Sequence, residues 1–238
     1  MDPLDDFMTT RPPTARRPLL GVTVLVVEDS RFACEAQRLL YLRSGARIRR
    51  ADTLEHARKH LGVYRRGVLI VDVGLPDGSG LDLISTCAKA IPRIDVILGT
   101  SGDSILQEAV LACGANGFMP KPISSLAAFQ SAILSHLLTN RQPPEPRLVT
   151  DESVNPDLIA YQDDLTHMAA VIGSGDARES LGYVTQFLQG IAQSVKDNDL
   201  GNAASAVAHK YRQGTSTEAD LIALGAMVNS RLDTNRPL

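Results

Sequence analysis

The sequence predicts an α/β domain with a doubly wound, five-stranded parallel sheet, followed by an all-α four-helix bundle. Strand-like and helix-like segments alternate five times between residues 21 and 140, and only helical periodicity remains after a proline-rich stretch. Alternating βα units build a parallel sheet with helices on both faces, whereas helical stripes without strands pack against one another. The length of 238 residues suits two domains of this kind.

The α/β domain is expected over residues 21–140, after an N-terminal segment of residues 1–20 that lacks hydrophobic periodicity and is predicted to be a flexible tail. Runs rich in Val and Ile indicate strands, and apolar residues spaced by three and four indicate the helices between them. The expected strands are Val22–Val27, Arg47–Ala51, Val68–Val71, Val96–Gly99 and Gly117–Met119. The expected helices cover Phe32–Leu40, Leu54–Leu61, Gly80–Ala90, Ser104–Cys113 and Leu126–Leu137.

A linker is expected over residues 141–153, because three prolines among residues 143–146 remove backbone donors and favour extended backbone. Residues 154–238 then carry four apolar stripes at helical spacing, which predicts the four-helix bundle. The stripes begin at Leu158, Leu181, Leu200 and Leu221.

Composition and charge exclude several classes of protein. Hydrophobic residues make up 44% of the chain and charged residues 21%, as in an ordinary globular protein. No run approaches the roughly 18 apolar residues of a membrane helix, and the N-terminus lacks the apolar core of a signal peptide, so a cytoplasmic protein without a membrane partner is expected. Residues 151–238 hold 12 acidic and 6 basic side chains, an unfavourable balance for binding nucleic acid.

Polar residues collect where the predicted strands end. Glu28 and Asp29 follow the first strand, Asp72 the third, Thr100 the fourth and Lys121 the fifth. Because ligands of such sheets bind beyond the carboxyl ends of the strands, these side chains are expected to converge. Three converging carboxylates repel one another unless a cation neutralises them, and oxygen ligands favour Mg²⁺. With a lysine and a hydroxyl nearby, such a site suits phosphoryl transfer to a carboxylate.

Four segments resemble the receiver domain of two-component response regulators, in the same order, over about residues 21–138. They are Val26-Val-Glu-Asp-Ser30, Ile70-Val-Asp-Val-Gly-Leu-Pro-Asp-Gly-Ser-Gly80, Gly99-Thr-Ser101 and Met119-Pro-Lys-Pro122. The resemblance implies a flavodoxin-like fold, a Mg²⁺ cofactor, and a histidine kinase or histidine phosphotransfer protein as the phosphodonor.

The resemblance also implies a role for each residue that matches the family pattern. These roles are Asp72 as phosphoacceptor, Glu28, Asp29, Asp72 and the Gly74 carbonyl as metal ligands, Lys121 as phosphoryl partner, Thr100 as switch hydroxyl and Phe118 as switch aromatic. Ser101 offers a second hydroxyl, but the spacing from Asp72 favours Thr100 as the switch residue.

Two glycines depart from the family pattern beside the expected phosphoryl group. Gly74 and Gly102 stand where many receivers carry larger side chains. This difference predicts a site with little steric shielding around the phosphoryl group.

The second helix of the predicted bundle carries a weaker resemblance. Its segment Gln186-Phe-Leu-Gln-Gly190 is similar to the His-x-Leu-Lys-Gly signature of histidine phosphotransfer domains. Gln186 replaces the phosphorylated histidine and Gln189 replaces the lysine, while Gly190 is retained. A glutamine amide has no nucleophilic ring nitrogen, so the bundle is predicted to keep the shape of such a domain without its chemistry. A generic bundle remains the alternative.

These patterns predict a response regulator that is phosphorylated on Asp72 and acts on a downstream protein, without DNA binding and without a separate enzymatic output. Two alternatives remain open for the bundle. It could be an active phosphotransferase that uses His167 or His209, or it could be a constitutive dimerisation module that makes the protein a homodimer.

Overall fold

The computed structural model describes residues 12–63, 67–145, 158–174, 180–215 and 217–234. The start of the predicted tail and most of the predicted linker therefore lie outside the described residues. In the part of the chain that the structure covers, none of the helices combines the length and apolar character that crossing a membrane requires.

The first half of the chain forms a five-stranded sheet. Its strands are β1 Thr23–Val27, β2 Arg47–Ala51, β3 Val68–Asp72, β6 Val96–Ser101 and β7 Gly117–Pro120, and β4 Gly74–Leu75 pairs with β5 Gly78–Ser79 in a separate short hairpin. The five strands of the sheet are parallel and stand in the order β2-β1-β3-β6-β7. The predicted doubly wound sheet is thus confirmed.

Helices cover both faces of this sheet, as the alternation of strands and helices predicts. They are α1 Arg31–Ser44, α2 Leu54–Val63, α3 Gly80–Lys89, α4 Gln107–Ala112 and α5 Leu126–Leu134. Because successive residues of a strand point to opposite faces, Val24 and Val26 enter the apolar cluster under α1 and α5, whereas Leu25 and Val27 enter the cluster under α2, α3 and α4. The helix predicted from Ser104 begins as a 3₁₀ turn, Ser104–Leu106.

The packed core begins before the predicted boundary at residue 21. Leu19 is fully buried in the cluster under α1 and α5, and its backbone N–H donates to the Ser44 carbonyl at 2.9 Å. The prediction of a flexible tail is therefore wrong for its last residues. Burial of the apolar Leu19 side chain in this cluster is favourable, and the polar residues before it gave no indication of that burial.

Among the described residues of the second half of the chain, all regular structure is helical, as predicted. Its four helices are α6 Leu158–Gly173, α7 Leu181–Val195, α8 Asn198–Arg212 and α9 Glu218–Thr234. Apolar side chains from all four helices form one core, with Leu165, Leu188, Leu200 and Val228 fully buried.

The bundle lies directly against the α/β domain. Helix α6 packs against α1, and α7 packs against the β4–β5 hairpin. Phe32, at the start of α1, is buried in the bundle core, where its ring lies 5.7 Å from the ring of Tyr161. One aromatic side chain of the first domain thereby belongs to the core of the second.

Candidate functional site

The parallel strands bring the predicted site residues to one edge of the sheet. Asp72, the last residue of β3, lies opposite Thr100 of β6 in the strand register. Glu28 and Asp29 directly follow β1, and Lys121 directly follows β7. All five predicted side chains therefore stand at the carboxyl ends of neighbouring strands, where the sequence placed them.

Lys121 joins two of the carboxylates. Its Nζ donates to Asp72 Oδ2 at 2.7 Å and to Glu28 Oε1 at 2.9 Å. Only 9% of the lysine side chain is exposed, so these contacts lie in a medium where water screens them little. Burial by itself lowers the pKa of Lys121, but the two carboxylates outweigh burial and hold the pKa above its ordinary value. The ammonium group consequently stays charged.

Glu28, Asp29 and Asp72 form an acidic cluster. Each offers a carboxylate oxygen within 4.8 Å of the others. Burial raises the pKa of Glu28 to about 8 and that of Asp29 to about 7, against the opposing effects of Lys121 and the Tyr183 hydroxyl. Asp29 Oδ1 is buried and has no hydrogen-bond partner among the described residues. A divalent cation that prefers oxygen ligands fits this set. It would favour the ionised forms of Glu28 and Asp29, whose pKa values are raised, and it would give Asp29 Oδ1 a partner.

The two neighbouring hydroxyl groups on β6 have different surroundings. Thr100 Oγ1 is buried and makes no hydrogen bond to any described residue. Ser101 Oγ accepts hydrogen bonds from the Asp103 backbone N–H at 3.1 Å and from Gln186 Nε2 at 2.9 Å. Thr100 is thus the hydroxyl that is available to a new partner.

Two further predicted residues flank the acidic cluster. The Gly74 backbone N–H lies 3.3 Å from Asp72 Oδ1, which places the start of β4 beside the carboxylate. Phe118 is half-buried on β7 and packs against the apolar cluster that contains Val110.

Helix α7 of the bundle covers this edge of the sheet. The Tyr183 hydroxyl donates to Asp29 Oδ2 at 2.6 Å, and Gln193 Nε2 donates to the Gly102 carbonyl at 2.8 Å. Gln186 lies between them on the helix and reaches Ser101, as described above. Three side chains of one helix therefore bind the residues around Asp72.

Helix α7 approaches the first domain closely at its two unusual glycines. A Cβ atom on Gly74 would stand 2.4 Å from Gln186 Oε1, and one on Gly102 would stand 3.1 Å from both the backbone N and the Cα of Gly190. The predicted lack of shielding is therefore wrong, because α7 fills the space that the absent side chains leave.

A buried aspartate of α6 fastens the bundle to the start of α1. Asp164 accepts hydrogen bonds from Ser30 Oγ at 2.6 Å and from the backbone N–H groups of Arg31 at 3.0 Å and Phe32 at 3.1 Å. Burial raises the pKa of Asp164, although these three donors oppose the shift. The first N–H groups of a helix have no partner within it, so a carboxylate there satisfies them and interacts favourably with the helix dipole.

The other predicted bundle residues divide by position. Gln186 and Gly190 lie against Ser101 and Gly102 of the first domain, whereas Gln189 Nε2 donates to Ser205 of α8 within the bundle. His167 Nε2 lies 3.2 Å from the Tyr183 hydroxyl, and that hydroxyl in turn donates to Asp29. His209 is exposed on α8 and its ring contacts Gln213, the C-cap residue of that helix.

Sequence reasoning missed Tyr183, Gln193 and Asp164. Tyr183 and Gln193 lie three residues before and seven residues after Gln186, on the same face of α7, so the helical period offered a signal for both. Asp164 directly precedes the core residue Leu165. Its position beside an apolar stripe did not indicate that it binds the start of α1.

Comparison with known proteins agrees with this geometry. The model of the response regulator receiver domain matches residues 24–133. The chain contains a response regulator receiver domain. The match includes residues of all five strands of the sheet, and it contains Glu28, Asp29, Asp72, Thr100 and Lys121.

Relatives of the receiver domain occur in several bacteria. The chain is 31% identical over 142 residues to the KDP operon transcriptional regulatory protein KdpE of Escherichia coli, a match that covers 58% of this chain and 61% of KdpE. It is 33% identical over 104 residues to the transcriptional regulatory protein TcrX of Mycobacterium tuberculosis, covering 43% of this chain and 44% of TcrX. The matches therefore span less than two thirds of either relative.

A solved structure of a response regulator from Chloroflexus aurantiacus is also similar. It is 26% identical, with a TM-score of 0.42, and the match covers 52% of this chain and 99% of that one.

Proposed function

We propose that the protein is a response regulator that is phosphorylated on Asp72 and acts through protein–protein interaction rather than DNA binding, without a separate enzymatic output. The observation that supports this most directly is the contact of Lys121 Nζ with Asp72 Oδ2 beside the Glu28 and Asp29 carboxylates. Receiver domains accept phosphoryl groups from histidine kinases or histidine phosphotransfer proteins, and such a protein is the proposed donor.

The proposed reaction transfers a phosphoryl group from a donor histidine to Asp72. A carboxylate oxygen of Asp72 attacks the phosphorus, the new P–O bond forms as the P–N bond breaks, and the electron pair of that bond returns to the imidazole nitrogen. The Gly74 N–H orients the carboxylate through Oδ1. Lys121 neutralises charge on the transferring group, and the unpartnered Thr100 hydroxyl donates to a phosphoryl oxygen.

The metal ligands in this proposal are Glu28, Asp29 and Asp72, with the Gly74 carbonyl as a further ligand. A bound Mg²⁺ would supply positive charge to the phosphoryl oxygens. Lys121 already contacts Glu28 and Asp72. The ion would therefore complete the neutralisation of the cluster, because it would also bind Asp29, the carboxylate that Lys121 does not contact.

For the bundle we propose the shape of a histidine phosphotransfer domain without its histidine. Gln186 stands on the helix face that covers the receiver site, and Gly190 lies one turn later against Gly102. The amide of Gln186 cannot accept a phosphoryl group. The proposed domain limits are 21–140 for the receiver, extended at its start by the packed Leu19, and 154–238 for the bundle, with 141–153 between them.

The test is phosphate-affinity electrophoresis after long incubation with Mg²⁺ and acetyl phosphate. Wild type is expected to shift, and Asp72→Ala is expected not to shift, because the acceptor oxygen is gone. Asp52→Ala removes an exposed carboxylate that pairs with His56 and should shift like wild type. A shift that persists in Asp72→Ala would mean that another residue accepts the phosphoryl group.

One observation favours a second candidate, a working phosphotransferase that uses His167. The ring of His167 is linked through the Tyr183 hydroxyl to Asp29. Alkali-stable, acid-labile label on wild type that disappears in His167→Asn, and not in His209→Asn, would establish this candidate. Label confined to Asp72 in all three proteins would exclude it.

A further inference from the structure

One face of α7 makes every contact of this helix with the receiver site described above. Its residues are Tyr183, Gln186, Gly190 and Gln193, whose spacings of three, four and three place them on a single stripe. The stripe extends along the edge of the sheet from Asp29 to the Gly102 carbonyl. The contact is thus continuous over the residues that surround Asp72.

This stripe stands where a phosphodonor must stand. To transfer its phosphoryl group, a donor histidine has to bring phosphorus into contact with the carboxylate of Asp72. Gln186 Oε1 already lies against Gly74, whose N–H lies 3.3 Å from that carboxylate, and the Gly190 backbone lies against Gly102. A second helical surface cannot occupy the same space.

The receiver is shaped for this internal contact. Gly74 and Gly102 carry no side chain, and a Cβ atom on either would meet α7 at 2.4 Å or 3.1 Å. The bundle in turn offers Gly190, whose backbone approaches Gly102 without a side chain between them. Three glycines on two domains therefore permit an approach that larger residues would prevent.

We infer that the stripe of Tyr183, Gln186, Gly190 and Gln193 is an internal occupant of the surface on which the phosphodonor docks, so that a protein donor reaches Asp72 only when the bundle leaves. This inference rests on the proposed function, because it requires Asp72 to be the acceptor. The bundle thereby acts as a competitor in the same chain.

Donor binding and bundle release are coupled in this arrangement. We call the form in which the bundle covers the site closed, and the form in which the bundle has left it open. A protein donor binds only the open form, so the apparent rate of transfer is proportional to the fraction of molecules that are open. A phosphoryl group on Asp72 would need the space beside Gly74 that Gln186 holds, so phosphorylation favours the open form in turn. Opening also exposes the stripe itself to other proteins.

Two adjacent aspartates on α6 provide the matched variants for a test. Asp164 is buried and binds the start of α1 through three hydrogen bonds, whereas Asp163 is half exposed and forms one exposed ion pair with Arg31. Asp164→Ala should release the bundle, and Asp163→Ala should leave it closed. Neither aspartate is among the proposed phosphoryl or metal residues.

The experiment measures the initial rate of Asp72 phosphorylation in the full chain, with a phosphorylated histidine phosphotransfer protein and, separately, with acetyl phosphate. For the protein donor, Asp164→Ala is expected to react about tenfold faster than wild type, because the open fraction rises. Asp163→Ala should match wild type. For acetyl phosphate the increase should be smaller, since a small donor needs less open space.

A second pair of variants reaches the contact from the receiver side. Gly102→Leu places a side chain against the Gly190 backbone, whereas Gly182→Leu adds one at an exposed position of α7 with nothing within 4 Å. Gly102→Leu is expected to raise the radius of gyration measured by small-angle X-ray scattering, and Gly182→Leu is not. Circular dichroism tests whether each variant is folded. If Asp164→Ala does not fold, Gly102→Leu takes its place in the rate measurement.

The outcomes separate the inference from the proposed function. Equal protein-donor rates in wild type and Asp164→Ala, with an unchanged radius of gyration in Gly102→Leu, would overturn the inference while leaving Asp72 as the acceptor. Absence of phosphorylation in every folded variant with both donors would overturn the proposed function, and the inference with it.

Discussion

The two sides of the covered site differ in their chemistry. The receiver side presents ionisable groups, with Lys121 set between Asp72 and Glu28. The bundle side presents neutral groups, the phenol of Tyr183 and the amide of Gln186. Charges are needed to hold a transferring phosphoryl group, whereas the neutral hydrogen bonds of α7 cover the site and each contribute little to holding the bundle there. The difference indicates that the receiver side is suited to phosphoryl transfer and the bundle side to controlling access to Asp72.

The receiver side should be the more sensitive to loss of a charge. Lys121→Met removes the cation between two buried carboxylates, so phosphorylation of Asp72 by acetyl phosphate is expected to slow by about 100-fold. The initial rate of phosphorylation, followed by phosphate-affinity electrophoresis, measures this effect.

Lys59→Met is the matched control for this variant. Lys59 forms an exposed ion pair with Glu55 on α2, and its loss should leave the rate unchanged. If Lys121→Met reacted as fast as wild type, the charged character of the receiver side would not matter to the reaction.

The apolar anchor between the two domains should have an effect of comparable size on the attachment of the bundle. Phe32→Ala removes a ring that is buried in the bundle core, and it should weaken the attachment of the bundle to the receiver by about 3 kcal/mol. Hydrogen exchange at the amides of Ser101 and Gly102, read by mass spectrometry, should then accelerate. Leu39→Ala truncates a side chain of α1 that is 40% exposed, and unchanged exchange is expected there.

A polar contact inside the bundle should have the smallest effect. Arg231 of α9 donates to Asp197, the N-cap residue of α8, and this hydrogen bond lowers the pKa of Asp197. Because the folded-state pKa lies below the ordinary value of 3.8, the stabilisation is present above pH 3.8 and is lost as the pH falls through the folded-state value. Arg231→Met should therefore lower the free energy of unfolding by about 1 kcal/mol at pH 7.

Urea denaturation at pH 7 and at successively lower pH measures this difference. The gap between Arg231→Met and wild type should shrink as Asp197 becomes protonated. Lys210→Met removes the more exposed Lys210–Asp220 pair between the same two helices and should cost less at pH 7. A gap that is independent of pH would show that Arg231 stabilises the bundle by packing alone.

The alternation of strands and helices was enough to predict the parallel α/β fold, and the polar residues at the strand ends were enough to expect five polar side chains at one edge of the sheet. In a parallel sheet, the end of a strand is a fixed place, so Asp72 and Thr100 become neighbours once their strands are adjacent. The boundary at residue 21 was wrong, because the burial of Leu19 depends on a cluster built from distant segments.

The sequence by itself determined what each domain is: a parallel α/β fold with an acidic site, and a helical bundle with glutamine at position 186. These properties follow from local periodicity and from residue type. Only the tertiary structure decided that the bundle lies over the site, that Gly74 and Gly102 are contact points, and that Asp164 accepts the first N–H groups of α1. Contacts between domains depend on the shape of two folded surfaces. The helical period groups Tyr183, Gln186 and Gln193 on one face of α7, but it does not indicate which surface that face meets.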